Sequence, residues 1–348
     1  MSPLFKKRAY IAAQLEATYQ TEAAWTDTDF IQVTDLSIEP LSKSERLEVN
    51  QQSYSQGETI VTQLSHKATF KVPLWAQDQT ASEQAVPRYF NLLKACATAL
   101  TTGGVGSEYT SAAPNTPVAM AANTAVGLKI MESELLMSYM AGCYGTFKIV
   151  LEYGKIPMIE FEFYGLYEAP ELYSNPVTPD PWDIEVQTVH PWRNVYCAIR
   201  FGSGSAVLDY VLHKVEIDLK TKVVERPDAT AEYALAGYLI AGREPTATLS
   251  FEKRSLAAES ATEFMIGNEM CEFRTTFGDP SEAATYATSR GQLEFPSGYS
   301  GTGSEATSGG KIVSVKDGDV NGIVTTDLTL DLGGSDDEFL LKVLREAS

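Results

Sequence analysis

Residues 144–170 read YGTFKIVLEYGKIPMIEFEFYGLYEAP. Apolar and polar residues alternate between glycines, so Ile159, Phe161 and Phe163 fall on one face and Glu160 and Glu162 on the other. A period of two is the pattern of a β-strand with one buried and one wet face. The wet face is acidic, and no constellation of catalytic residues stands beside it. What such a strand serves has to be read from the rest of the chain.

The chain has 348 residues, enough for two ordinary domains, and 44% hydrophobic with 21% charged residues is a globular composition. The formal net charge is −19. Wrapping DNA or RNA requires Lys and Arg stripes that neutralise phosphates, so this balance argues against it. It leaves two readings, plain solubility or a surface that must repel a polyanion. Cys96, Cys143, Cys197 and Cys271 are far apart in apolar contexts with no CxxC. Buried thiols fit better than a disulfide framework or a zinc site. The basic run Lys6-Lys7-Arg8 is followed only by Ala9 to Ala13 before Gln14, too short for a signal-peptide core, and no long apolar run occurs. The expectation is a soluble protein without an export signal.

The chain also repeats itself. From Leu36 it reads LSIEPLSKSERLEVNQQSYSQGETIVTQLSHKATFKV, and from Val215 VEIDLKTKVVERPDATAEYALAGYLIAGREPTATLSF. Ile38-Glu39 matches Ile217-Asp218, Lys43 matches Lys222, and Glu45-Arg46 matches Glu225-Arg226. Gly57 matches Gly237, Ile60 matches Ile240, and Ala68-Thr69-Phe70 matches Ala247-Thr248-Leu249. Partners stay 179 or 180 residues apart, which needs one single-residue insertion and a compensating deletion. Helical spacing follows in each half, over Val86 to Cys96 and over Ala261 to Cys271, then a Gly/Ser/Thr/Ala-rich loop, then strands. Val324 to Leu332 alternates strictly, and GSDDEFLLKVL at the end fits one more strand. This predicts a mainly β protein, a β-sandwich or half-barrel with a flanking α-helix, in two tandem modules. The divisions are 1–25 as an N-terminal arm, 26–170 and 207–348 as modules, and 171–206 as a Pro- and aromatic-rich connector packed on them.

Catalytic and metal motifs are missing. His66, His190 and His213 lack the i+3 or i+4 partners of a metal site, and neither a nucleophile elbow nor a P-loop occurs. GGVG at Gly103 and GTGSEATSGG at Gly301 read as loops. Carboxylate pairs are plentiful: Glu132/Glu134, Glu160/Glu162, Asp327/Asp331 and Asp336/Asp337. Such pairs can serve acid/base chemistry or hold calcium. On a strand, spacing of two or four only places both on one face. DGDVNG at Asp317 reads as a hairpin turn better than as a calcium loop. No cofactor, metal or enzymatic activity is expected.

Several stretches carry a resemblance. They are AQLEATYQTEAAW from Ala13, IQVTDLSIEPL, RYFNLLKACA with a GSEYT loop, GTFKIVLEYGKIPMIEFEFYGLYEAPE, GREPTATLSFE, and the closing DGDVNGIVTTDLTLDLGG with DEFLLKVL. In this order they resemble the tail tube (major tail) proteins of long, non-contractile-tailed bacteriophages, the siphophages, over most of the chain. One departure is Gln20, which stands where such arms usually read TYGT. The connector and the loop around Gly298 follow no family pattern.

The resemblance implies a structural virion protein of the phage tail, assembled in the host cytoplasm. Its subunits stack as rings whose inner strands join into a hollow β-barrel through which genome DNA slides without specific binding. The implied partners are further copies of the chain, the tape measure, the tail tip and the tail terminator, with no membrane. Since the chain carries two modules, three copies are expected where single-module subunits need six, with a hexameric ring as the alternative. Candidate lumen-facing residues are Glu39, Glu45, Glu48, Asp218 and Glu225, then Glu160, Glu162, Asp327 and Asp331; solvation of an outer face accounts for each equally well. The arm, Met1 to Trp25, and the Gly/Ser/Thr loops are the candidates for ring-to-ring contacts. Competing readings are a duplicated β-sandwich that binds carbohydrate or mediates adhesion, using its Trp and Tyr rings, and more distantly an acidic glycosidase.

Overall fold

A computed structural model describes residues 9–21, 30–46, 59–74, 89–102, 109–112, 125–133, 136–169, 171–172, 189–201, 210–253, 261–267, 270–278, 291–295, 310–332 and 339–343. The protein is mainly β. In chain order β1 is Ala9–Leu15, β2 Phe30–Arg46 and β3 Thr59–Pro73, followed by the short helix α1, Phe90–Lys94. Next come β4 (Ala99–Thr102), β5 (Tyr109–Ala112), β6 (Val126–Ser133), β7 (Leu136–Glu152), β8 (Met158–Tyr167) and β9 (Glu171–Leu172). The remainder holds β10 (Cys197–Phe201), β11 (Leu212–Asp218), β12 (Thr221–Pro227), β13 (Leu235–Arg243) and β14 (Thr246–Glu252). Helix α2, Ala261–Ile266, precedes β15 (Met270–Phe277), β16 (Gly291–Phe295), β17 (Gly310–Val320), β18 (Ile323–Asp331) and β19 (Leu340–Val343).

Every pairing among these strands is antiparallel. Strands β1, β2, β3, β8, β7 and β6 pair in that order and β6 returns to β1, closing a six-stranded barrel. Strand β7 also pairs with β11, and from there β14, β18 and β17 continue outward. Eight strands thus run side by side in the order β2-β3-β8-β7-β11-β14-β18-β17.

Alternation sets which side of this run is dry. Ala68, Phe70 and Val72 on β3, Ile159, Phe161 and Phe163 on β8, and Phe147, Ile149 and Leu151 on β7 are all buried. The same side continues through Val215 and Ile217, Ala247, Leu249 and Phe251, then Leu328 and Leu330. These belong to one continuous core, within which Phe70 stacks on Phe161 and Phe163 at centroid distances of 5.4 and 5.9 Å. Such ring pairs add roughly 1 kcal/mol each beyond the area they bury.

Several expectations shift in detail. The helix expected over Val86 to Cys96 is described only at Phe90–Lys94, with the chain turning at Ala95 to Ala97, and 86–88 lie outside the described residues. The second ends at Ile266, and Cys271 belongs to β15, where Cys271, Phe273 and Phe277 face the core. The stretch Met1 to Trp25 is not simply an arm. Ala9–Leu15 is a barrel strand paired on both edges, because Ile11 and Ala13 alternate into the core. Likewise β10, within the expected connector, pairs with β15, and Trp192 is buried with its indole N–H donated to the Thr276 carbonyl at 3.2 Å. The loops at Gly103 and Gly301, and Gly298, lie outside the described residues. Asp317 to Gly322 does form a hairpin: Asn321 and Gly322 take φ of 55° and 84°, and Gly322 N–H is bonded to Asp319 Oδ1 at 3.0 Å. All four cysteines are free thiols. Among the described residues no helix is long and apolar enough to cross a membrane.

The segment after β1 ties the two halves of the chain together. Glu16 is buried and accepts the N–H groups of Gly142 (2.7 Å) and Gln20 (2.6 Å). Gln20 takes φ of 65°, the left-handed conformation that a glycine favours and that the TYGT pattern would have supplied. This aims Tyr19 at β13, where its hydroxyl accepts the Tyr238 N–H at 3.0 Å. Gly237 makes room for it, with φ of 125°, and a Cβ there would lie 2.0 Å from the Tyr19 hydroxyl oxygen. Gly237→Ala therefore meets both backbone strain and a clash. It is expected to lower stability by on the order of 2 kcal/mol or more, measurable as a drop in Tm by calorimetry.

Candidate functional site

The wet side of the eight-stranded run carries most of the carboxylates singled out from the sequence. One transverse line shows the pattern: Lys71, Glu160, Lys148, Asp218, Thr246, Asp331 and Lys311 stand opposite one another across β3, β8, β7, β11, β14, β18 and β17. Glu162 lies in the adjacent line opposite Thr69 and Thr146, and Glu39 stands opposite Lys67. Asp327 faces Ser250 and Lys316. Opposed residues in a ladder point to the same side. Glu39, Glu160, Glu162, Asp218, Asp327 and Asp331 therefore share one face.

Lysines interleave with these carboxylates, so the face is mixed in sign rather than uniformly acidic. Lys71 Nζ lies 3.1 Å from Glu160 and 3.1 Å from Asp35, and Lys67 Nζ lies 2.9 Å from Glu162. At the junction of the two halves, Glu216 of β11 takes Lys148 of β7 at 2.6 Å and Lys214 at 2.7 Å. Burial works to raise the Glu216 pKa, but hydrogen bonds from Lys148 and then Lys214 outweigh it and hold the carboxyl below its ordinary value. The Glu162 hydrogen bond and charge raise Lys67. Lys71 is raised by the hydrogen bonds of Glu160 and Asp35. Each of these lysines is thus committed to carboxylates.

The remaining candidates lie elsewhere. Glu45 and Glu225 sit on two-stranded arms, the outer parts of β2–β3 and β12–β13, that extend from this run. Both are exposed. Glu225 is ion-paired with Lys43 of the other arm, which lowers its pKa. Glu48 lies outside the described residues, as do Glu134, Asp336 and Asp337. Matching Glu45 with Glu225 needed a one-residue insertion, which the ladders do not contain. Each arm carries a bulge at the same point, after Lys43 and after Lys222. Glu45 then lies opposite Ile60 as Val224 lies opposite Leu239, so Arg46 corresponds to Glu225. Each bulge takes up one extra residue on the returning strand, Thr62 or Ala241, and shifts the register beyond it by one, in the same way in both arms.

The histidines have structural settings. His66 is buried in mid-strand against the Tyr167 ring at 4.7 Å, and burial lowers its pKa. His213 packs edge-on to Tyr153 at the bulge that opens β11. A further charged set, Arg200, Glu272, Arg274 and Glu294, is packed across β10, β15 and β16, with Arg274 2.7 Å from Glu294. Among the described residues no group of His, Cys, Asp and Glu could hold a metal ion.

The sequence reading had the acids but missed the bases and Glu216. The signal was present: Lys67, Thr69 and Lys71, and Lys214, Glu216 and Asp218, each recur with a period of two. No protein-family model matches the chain, and no curated protein is significantly similar to it in sequence.

The Glu216 cluster sets a pH dependence. A carboxyl whose pKa is lowered on folding stabilises the fold above its unfolded pKa, and that contribution is lost as pH falls through the folded value. The pair is partly exposed and screened by solvent, so its worth is about 1 kcal/mol. Glu216→Gln is expected to lower Tm at pH 7 by that equivalent and to flatten the fall of Tm in acid, as thermal melts between pH 3 and 7 would show.

Proposed function

We propose that this chain is a tail tube subunit, a structural and non-catalytic protein that stacks in rings to form the hollow conduit of a long, non-contractile phage tail. The observation that carries this reading is the run of eight strands, polar on one face and apolar on the other, whose outer strands β2 and β17 are left without a partner along most of their outer edges among the described residues, β1 reaching only Phe30 to Val33 and β15 only Gly310 and Lys311. A sheet with open edges and one dry face is stable as a closed barrel, and copies of the chain supply the closure.

Its internal order supports the two-module reading. The first half contributes β2-β3-β8-β7 and the second β11-β14-β18-β17. In each set the first two strands carry the repeated sequence and an arm with a bulge after Lys43 or Lys222, and the last two form a hairpin. Size then favours three chains per ring over six. Three copies give about 24 strands, and at about 4.8 Å between strands the backbone diameter is about 37 Å before tilt. This suits a nucleic-acid duplex once side chains project inward, whereas six copies would double it.

The face fits the duty of letting DNA pass. Lys67, Lys71, Lys148 and Lys214 are already engaged by carboxylates, so phosphates find few bases to displace counterions. The net charge of −19 repels the backbone at longer range. The other tail parts, the tape measure, tip and terminator, are the partners this reading implies, and the virion its place. Electron microscopy of the purified chain, alone and with a tail-tip nucleus, is expected to show hollow filaments, and native mass spectrometry of rings to count three chains. A protein that stays monomeric under both conditions overturns the reading.

A further inference from the structure

Resting on the tube reading, we infer the seam by which one copy of this chain joins the next: the free edge of β2 pairs antiparallel with the free edge of β17 of the neighbouring copy, placing Glu39 opposite Lys316. The template is inside the chain. The halves meet where β11 adds to β7, with Asp218 opposite Lys148, Ile217 opposite Ile149 and Glu216 opposite Val150. Glu39 is the repeat counterpart of Asp218. Lys316 is the counterpart of Lys148, since the ladders set Lys316 against Asp327 on β18 as they set Lys148 against Glu160 on β8. Carried to the outer edges, the internal junction brings an acid to a base at the same place.

Both edges are open for this. Among the described residues β1 reaches only Phe30 to Val33 of β2, and β15 reaches only Gly310 and Lys311 of β17. Glu39 and Lys316 are exposed and neither has an ion pair among the described residues. The surroundings of the two junctions differ as an occupied and an empty seat differ. Beside β7, the end of α1 is covered by the second half. The Thr221 hydroxyl donates to the Cys96 carbonyl (3.4 Å), Arg243 donates to the Ala97 carbonyl (2.8 Å), and Cys96 is fully buried. Beside β17, the end of α2 is bare: Ile266 is 76% exposed and Val313 59%. Large apolar side chains left open next to an unpaired strand mark a surface completed by association. Because the two edges differ, the contact is head-to-tail, and its repetition closes a ring.

Cross-linking tests the register. Directly opposed residues of an antiparallel pair have Cα atoms about 4.5–5.5 Å apart, within reach of a disulfide. The full chain carrying Glu39→Cys and Lys316→Cys, assembled and then oxidised, is expected to shift most of its monomer band on a non-reducing denaturing gel into a ladder ending at three chains. Reductant reverses the shift. Lys148→Cys with Asp218→Cys reports the same geometry within one chain and keeps monomer mobility. The single variants stay monomeric, since three of the four native thiols are buried and Cys197 is half-buried. Hollow filaments without the ladder overturn this seam and leave the tube reading standing, as does a dimer formed by Glu39→Cys alone. An unmodified chain that forms no filaments or rings overturns both.

Discussion

The antiparallel pairing of Lys214–Asp218 on Lys148–Glu152 is the contact on which the rest of the architecture depends. It converts two four-stranded sets into one sheet without a break in hydrogen bonding or in the alternation of wet and dry faces. Below it Ile149 and Ile217 meet in the core, and above it Lys148 and Glu216 meet in the polar layer. An edge strand presents unpaired N–H and C=O groups, and the cheapest way to satisfy them is another strand of the same kind. Here a strand from the other half of the same chain takes that place.

That junction is reinforced from both sides. Tyr19 reaches from the segment after β1 to β13 through the gap left by Gly142 and Gly237, and Tyr238 of the same strand donates its hydroxyl to Ser65 Oγ at 2.8 Å. Burial pushes the Tyr238 pKa up to about 12, so the hydroxyl keeps its proton throughout the physiological range. Glu16 has the opposite character to Glu216. Desolvation raises its pKa against the help of the Gly142 and Gln20 N–H groups, so its ionisation weakens the fold as pH rises past the ordinary carboxylate value. A buried acid is tolerated there because it satisfies two backbone donors, of which the Gly142 N–H is buried.

Much of this was legible beforehand. The alternation over Ile159 to Phe163 and over Val324 to Leu332 gave strands whose faces the structure reproduces, in the second from Thr326 onward, although Val324 is exposed and Thr325 buried next to the hairpin. The glycine, asparagine and aspartate at 317–322 gave a turn. The helices were overread, because spacing of three and four among apolar residues also arises where a short turn runs straight into a strand, as at Met270. The candidate face was half-read. Net charge drew attention to the acids, while Lys67, Lys71, Lys148 and Lys214 look in sequence like scattered surface lysines. Only their cross-strand neighbours show that these lysines are engaged by the acids, Lys67 by Glu162, Lys71 by Glu160 and Asp35, and Lys148 and Lys214 by Glu216.

Composition and a period of two determined by themselves that this chain is β-rich, where its strands alternate, and which residues are polar within each strand, since those properties are local to the backbone. Which strand lies beside which was decided by tertiary structure. Glu160 and Asp218 are 58 residues apart in the chain, yet both flank Lys148, because antiparallel register couples residues through hydrogen bonds that have no counterpart in sequence spacing.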